Sequence, residues 1–463
     1  MTEQLDRLFN PSSIAIIGAS KDKRKSGGRF VSGLISGSFE GKLYPVNPGE
    51  SEILGLRSYH RVQDIPGEID LAFVTVPARI VPQVIGDCNQ KGVKFAVVHS
   101  AGFSELGAEG KELEEQMLRF ARQGGPRIIG PNCMGFYCPQ AGINTIASVP
   151  ATKEEAGSVA FVGQSGWVAE NIMVMGYERG LRFSKVVSIG NQSDLTIEGL
   201  LEYFANDADT QVIGFYIEGI KRGKDFLRLA KQISRKKPII VWKAGRTEGG
   251  ARAAASHTGS MAGSSVVFDA ALMQSGVAIA RNLEELLDMM VGFTCPVLPK
   301  GNKVGLLVEA GGGAVAASDT AEALGFELST LSTEAQQELV DILKGIIPPF
   351  ASPRNPVDIV WAPATDPGKV YLQCSRAILK EVDALLLINY LNYDELFAKE
   401  MARLRDEMEK LVLIIPGHPS EMREGMSLMT RNGIPTFTIP ERALKVLSAM
   451  VRYSNYLHQA AVL

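Results

Sequence analysis

Ser256-His257-Thr258-Gly259-Ser260-Met261-Ala262-Gly263 sets one histidine in a run of small residues. The run reaches back through Gly245, Gly249, Gly250 and Ala253 to Ala255. Small residues let a backbone move, or approach a ligand closely. A histidine here can be a nucleophile, because an unperturbed pKa of about 6.5 leaves much of it neutral near pH 7. A solvent-exposed loop histidine has the same local pattern, so other residues must decide. Glu218 follows the apolar run Val212 to Ile217 and reads either as an orienting carboxylate or as a structural cap. Gly163-Gln164-Ser165-Gly166 is a Gly/Ser turn into a helix, whose free N–H groups suit phosphate. It departs from a serine-hydrolase elbow, because Trp167 stands where that pattern needs glycine. Glu309-Ala310-Gly311-Gly312-Gly313 is a second glycine-rich turn of phosphate type.

The elements that must position these residues follow one style. A chain of 463 residues points to about three domains. With 45% hydrophobic and 21% charged residues it reads as a soluble globular protein. The net charge of −3, with no basic tract, gives no support to nucleic-acid or anionic-membrane binding. The five scattered cysteines are those of reduced thiols in a cytoplasm, and Cys133 and Cys138 lack partners for a metal site. The start, MTEQLDRLFNP, has no apolar signal core, and no run reaches transmembrane length.

Residues 13 to 18 read as a buried parallel strand, followed by a Gly/Ser/Lys loop and a helix through Phe30 and Leu34. Further strands are expected at Leu43 to Val46, Leu71 to Val76, Phe95 to His99 and Arg127 to Ile129, with helices such as Lys111 to Arg122 between them. This βαβ alternation implies a doubly wound domain of about 140 residues. A dinucleotide is disfavoured twice. No G-x-G-x-x-G follows Gly18, and the second strand ends in Pro45-Val46-Asn47-Pro48 rather than in an acidic residue for a ribose. The Gly-rich turn and the basic residues Lys21, Lys23, Arg24 and Lys25 suit another phosphorylated ligand, such as coenzyme A.

Ala141 to Ala156 reads as a linker. A second alternating domain has strands at Ser158 to Val162, Lys185 to Ile189, Val212 to Ile217, Ile239 to Trp242 and Val277 to Ala280. Ligands of open parallel sheets sit at the carboxyl ends of the strands. That rule puts His257, which follows the fourth strand, on the rim that holds Glu218 and Ser165. Gly292 to Asn302 is a second linker. A third unit follows, with strands at Val304 to Val308, Ala384 to Ile388, Val412 to Ile415 and Thr436 to Ile439, and a turn at Asn355-Pro356-Val357-Asp358. Lys399 to Glu409 reads as a charged, solvated helix.

Taken in order, these motifs resemble the α subunit of the ADP-forming (nucleoside-diphosphate-forming) acetyl- or acyl-CoA synthetases, relatives of succinyl-CoA synthetase. The carrying motifs are Ile-Ile-Gly-Ala-Ser, Tyr-Pro-Val-Asn-Pro, Gly-Pro-Asn-Cys-Met-Gly, Gln-Ser-Gly, Ser-His-Thr-Gly, Gly-Gly-Gly before a helix, and Asn-Pro-Val-Asp. The resemblance spans nearly the whole chain. It implies an α/β fold of three doubly wound domains: a Rossmann-like CoA-binding domain over 1–140, a flavodoxin-like ligase domain with the phosphohistidine loop over 155–292, and a second flavodoxin-like CoA-ligase domain over 302–463.

The same resemblance implies roles. His257 matches the phosphorylated histidine and Glu218 the glutamate that contacts it. Gln164, Ser165 and Gly166 match one phosphate-binding helix start, and Gly311, Gly312 and Gly313 the other. Gly18, Ala19, Ser20, Lys25, Pro45, Val46, Asn47, Val76 and Pro77 fall where the family binds CoA. Trp167 and Met261 stand where small or aliphatic residues are usual, so Trp167 reshapes the space for the acyl group. The implied reaction is acyl-CoA + phosphate + ADP giving acid + CoA + ATP. No nucleotide-grasping stretch is visible, so ADP or ATP and Mg2+ are expected on a separate ATP-grasp β subunit, in an α2β2 assembly. The loop at His257 would then carry the phosphoryl group between the two sites. A CoA- or acyl-CoA-binding regulatory protein without turnover, and a nicotinamide-dependent oxidoreductase, are the alternatives from other classes.

Overall fold

The structure, a computed structural model, describes residues 2–258, 264–309, 311–346, 352–360 and 366–462. The chain divides into two compact units, Met1–Val174 with Arg182–Leu283, and Met175–Leu181 with Glu284–Leu463.

The first unit holds two sheets. One is wholly parallel, in the order Lys42–Val46, Ser13–Ile17, Leu71–Val74, Phe95–Val98, Arg127–Ile129. Its three central strands are buried on both faces, as parallel strands covered by crossover helices must be. Alternate residues serve different cores: Ile14, Ile16 and Phe73 face one cluster, and Ala15, Ile17, Ala72 and Val74 the other. The helix Thr2–Phe9 docks Leu5, Leu8 and Phe9 in the first of these, with Phe9 stacked 5.1 Å from Tyr203.

The second sheet runs Ala278–Ala280, Ile239–Lys243, Val212–Ile217, Val159–Gly163, Phe183–Ser188, Gly135–Cys138, Ile143–Asn144. The first five strands are parallel. The last two form an antiparallel hairpin paired to Phe183–Ser188. This corrects the expected linker at 141–156, which contains one of these strands. It also puts Gly135–Cys138 in the second sheet, although it follows directly on the last strand of the first. Tyr137 and Asn144 pair in the hairpin, and the Asn144 side chain then closes the turn beyond by bonding the carbonyls of Ala147 and Val149.

The second unit has a four-stranded parallel sheet, Val357–Asp358, Val304–Val308, Ala384–Asn389, Leu411–Pro416. The strand expected at Thr436 to Ile439 is reduced to a single bridge from Thr436 to Ile414. Pro440 there opens the helix Pro440–Val462, so the chain turns away after one pairing. Asn355 accounts for the Asn-Pro-Val-Asp motif. Its side chain accepts the Leu306 amide and donates to the Val304 and Ser329 carbonyls, locking the sheet's first strand.

Setting the antiparallel hairpin aside, the first strand in sequence of each sheet lies between the second and the third. Each therefore has a switch point beside its first strand, where open α/β sheets bind ligands. Gly18, Gly163 and Glu309 stand at or just beyond those strand ends. No helix among the described residues is long and apolar enough to cross a membrane.

Candidate active site

At the first switch point the chain turns sharply after Ile17. Gly18 adopts φ +89°, and its amide and that of Ala19 donate to the Val46 carbonyl at 3.0 and 3.3 Å. Asn47 closes the turn from the next strand, donating from Nδ2 to the Ala19 carbonyl at 2.8 Å and accepting the Gly49 amide at 2.8 Å. Thr75 donates to the carbonyls of Ile17 and Gly18, and Ser100 to that of Val76. Helix Ser26–Ser36 then begins pressed onto Gly18, because a Cβ on Gly27 would stand 2.1 Å from the Gly18 oxygen. Lys25 stands at its cap position and makes no side-chain capping bond. The expected residues Gly18, Ala19, Ser20, Pro45, Val46, Asn47, Val76 and Pro77 thus meet on one rim. Two basic residues of the loop have acidic partners: Lys21 pairs with Glu50 at 2.6 Å and Arg24 with Asp22 at 3.0 Å.

At the second switch point Gln164 and Glu218 interlock. The Gln164 side-chain oxygen accepts the Glu218 amide and, at 2.9 Å, the Gly219 amide. Gln164, expected at the phosphate-binding helix start, thus shapes the turn that holds Glu218. Glu218 is buried, with its carboxylate beside the Tyr216 hydroxyl. Burial, reinforced by the Glu218 charge, pushes the Tyr216 hydroxyl far up, so it stays a donor. Lys243, at the end of the neighbouring strand, donates to the Glu218 carbonyl at 2.9 Å. Burial holds the Lys243 ammonium below the usual lysine value, against the pull of Glu218. Ser165 begins the helix Gly166–Glu178, its hydroxyl accepting the Val168 amide at 3.4 Å. A Cβ added at Gly166 would lie 2.7 Å from the Met134 side chain, which would have to shift. Trp167 is 63% exposed.

The two rims of this unit are joined by a polar network that sequence reasoning missed. Asn191 donates to Glu105 at 2.6 Å, Ser104 at 3.2 Å and Glu114 at 3.3 Å. Glu105 also accepts the Gly102 and Phe103 amides. Burial alone would raise its carboxyl, but the bonds from Asn191 and the backbone hold it below the usual range. The helix Glu248–Thr258 packs on the turn Ser104–Leu106. The expected loop histidine is therefore helical in backbone, with His257 in the last turn of that helix. Its side chain, and Gly259 to Gly263, lie outside the described residues. Tyr216, Lys243, Asn191 and Glu105 had only one sequence signal: each lies at or near the carboxyl end of a strand.

In the second unit Gly311 to Gly313 form the first turn of the helix Gly311–Ala323. The setting is more acidic than expected. Glu309 accepts the Tyr390 amide at 2.6 Å, and a Cβ on Gly311 would stand 3.5 Å from the Asp358 carboxylate.

The five cysteines are free and buried. Burial pushes the thiols of Cys88, Cys133 and Cys374 up to about 12, and those of Cys138 and Cys295 up to about 11. None is suited to carry an acyl group as a thiolate.

Comparison with known proteins agrees with this arrangement. Residues 12–139 match the family described as "CoA binding domain", and residues 156–293 the one described as "Succinyl-CoA ligase like flavodoxin domain". The α subunit of acetate–CoA ligase [ADP-forming] II from Pyrococcus furiosus is 39% identical, over 97% of this chain and 98% of its own. The acetate–CoA ligase [ADP-forming] of Methanocaldococcus jannaschii is 37% identical over 97% of this chain, which spans 63% of that longer protein. The dinucleotide forming acetyl-coenzyme A synthetase 1 of Ca. Korarchaeum cryptofilum, solved in complex with phosphate and ADP, superposes with a TM-score of 0.83 at 38% identity, covering 98% of each chain. With its parallel α/β sheets and glycine-rich strand ends, the chain belongs to the ADP-forming acetate–CoA ligase family, as a relative of its α subunits.

Proposed function

We propose that this chain carries the phosphohistidine and the CoA site of an ADP-forming acyl-CoA synthetase. The supporting observation is that the helix bearing His257 packs on Ser104–Leu106, at the carboxyl edge of the CoA-binding sheet, within the unit that also holds Glu218. A CoA thiol on the first rim and a phosphoryl group on His257 then serve one reaction space.

In the acyl-forming direction a nitrogen of His257 attacks the γ-phosphorus of ATP. An N–P bond forms, the P–O bond breaks, and ADP leaves. A carboxylate oxygen of the acid then attacks that phosphorus, giving an acyl phosphate and restoring neutral histidine. The CoA sulfur attacks the acyl carbon, the bond to phosphate breaks, and the thiol proton leaves with inorganic phosphate. A carboxylate cannot be displaced by a thiol directly, and phosphorylation supplies the leaving group. Glu218 orients the imidazole and steadies its cationic phosphorylated form, as a triad carboxylate does. The free amides after Ser165 receive the phosphoryl oxygens, and the glycine-rich helix start Gly311 to Gly313 is a phosphate site of the second unit. Gln164 acts through Glu218. Gly18 to Ser20, Lys25, Pro45 to Asn47, Val76 and Pro77 hold CoA, and residues 1–140, 155–292 and 302–463 are the three functional domains, the first lending Gly135–Cys138 to the sheet of the second.

ATP, ADP and Mg2+ sit on a partner subunit of the ATP-grasp kind, in an α2β2 assembly. The longer Methanocaldococcus jannaschii relative supports this, since this chain spans only part of it. The buried free thiols fit a cytoplasmic protein.

The test combines the chain with its partner, phosphate, ADP and a panel of acyl-CoAs, and follows intact mass. A phosphoryl adduct is expected on wild type and not on His257→Ala. Its persistence in His257→Ala overturns the assignment. CoA should raise the melting temperature and NAD should not.

A further inference from the structure

The stretch that carries His257 leaves the second sheet after Ile239–Lys243 and returns in the helix Ser265–Gln274. Its two stems are tied together. Arg246 grips Asp269 with both arms of its guanidinium, Nη1 lying 2.9 Å from Oδ1 and Nη2 bonding Oδ2. Arg281, just after the strand Ala278–Ala280, donates to the same carboxylate at 2.6 Å. Asp269 is buried. One residue from Asp269, the Phe268 ring lies 5.9 Å from the Lys243 ammonium, which itself holds the Glu218 carbonyl at 2.9 Å. Contacts therefore run from Glu218 through Lys243 to Phe268, whose chain neighbour Asp269 is held by Arg246 and Arg281.

We infer that Asp269 is a positioning residue for His257. Arg246 stands two residues before the helix Glu248–Thr258, so its fork sets the angle at which that helix leaves the sheet. At 1.5 Å per residue, His257 stands roughly 14 Å along the helix from Glu248. A tilt of about 10° at the root would then move it by roughly 2 Å, and displacements near 1 Å can already cost about a hundredfold in rate. The clasp acts where His257 works against Glu218, in exchange with the acid. It has no such role while His257 takes phosphate from a nucleotide held on another chain. This inference rests on the phosphohistidine reading above.

The test uses the full chain with its partner subunit and two single-turnover half-reactions. One supplies ATP. The other supplies inorganic phosphate with the acyl-CoA that wild type turns over fastest, without nucleotide. Asp269→Asn keeps the shape and removes the charge. It should slow phosphorylation from the acyl side about tenfold and leave phosphorylation by ATP within twofold, with the CoA-induced melting shift retained. Arg246→Lys, which keeps the charge and loses the fork, should show the same split in milder form and serves if Asp269→Asn unfolds early. Equal slowing of both half-reactions, or no slowing of either, overturns the inference. A wild-type protein that never acquires a phosphoryl group overturns the function itself, before any variant is compared.

Discussion

The Gln164 side-chain oxygen accepts the backbone amides of both Glu218 and Gly219. One amide side chain thereby joins the ends of two neighbouring strands and fixes where the Glu218 carboxylate begins. Gln164→Ala would leave two amides in a largely buried turn without an acceptor, a loss of about 1–3 kcal/mol. Steady-state kinetics should show kcat down about tenfold or more, with KM for CoA within about twofold, since about 1.4 kcal/mol is a factor of ten. A raised KM with unchanged kcat would place Gln164 in substrate binding instead.

Gly27→Ala should damage CoA binding specifically. The added Cβ would lie 2.1 Å from the Gly18 oxygen, against backbone that cannot swing aside. Forcing the helix start away from the Gly18 turn costs about 1–3 kcal/mol. The melting temperature without ligand should fall, and the further rise induced by CoA should shrink or vanish. A CoA-induced rise equal to that of wild type would contradict the placement of the site.

His99 predicts a pH dependence. Its ring packs edge-on against Phe30 at 5.2 Å, and Nδ1 lies 2.7 Å from the Cys133 carbonyl. Burial holds it below the ordinary histidine value, with Arg29 adding to the effect and the Cys133 bond opposing it. The unfolded chain therefore binds a proton at a higher pH than the folded one. Stability from this group is complete above about pH 6.5 and is lost as pH falls through the folded value, with a slope of at most about 1.4 kcal/mol per pH unit. Urea unfolding between pH 7.5 and 5 should show that loss in wild type and a flatter curve in His99→Gln.

In the second unit, Asp288 is 4% exposed and receives Arg179 at 2.8 Å and Arg442 at 2.7 and 2.6 Å. Removing one partner of a buried ionic cluster typically costs 3–5 kcal/mol. Asp288→Ala should lower the unfolding free energy by about 3 kcal/mol in a denaturant titration. A change below about 1 kcal/mol would be that of a surface pair.

Strands buried on both faces were the most legible part of the fold. Val212–Ile217 and Val304–Val308 are continuous apolar runs, and the structure forms them where they were expected. Their glycine-rich ends marked the rims. The hairpin Gly135–Cys138 with Ile143–Asn144 was not legible, because strands so short carry too few residues for a period of two. Thr436 to Ile439 had the composition of a strand and lost it to the helix starting at Pro440. The contacts that shape the site were hidden for another reason. Gln164 with Glu218, Asn191 with Glu105, and Arg246 with Asp269 are far apart in sequence, and polar residues at strand ends are common. Only the packed sheet shows which of them meet.

The hairpin also bears on how the protein can be divided. Gly135–Cys138 follows the CoA-binding sheet in sequence and pairs with Phe183–Ser188 of the next. A gene fragment ending near residue 140 would carry off part of its neighbour's sheet and leave a raw edge open to pairing with another chain. The two halves are thus one heritable module. Recombination that exchanges one CoA-binding half for another must exchange this hairpin too, and with it the strand on which the partner sheet closes.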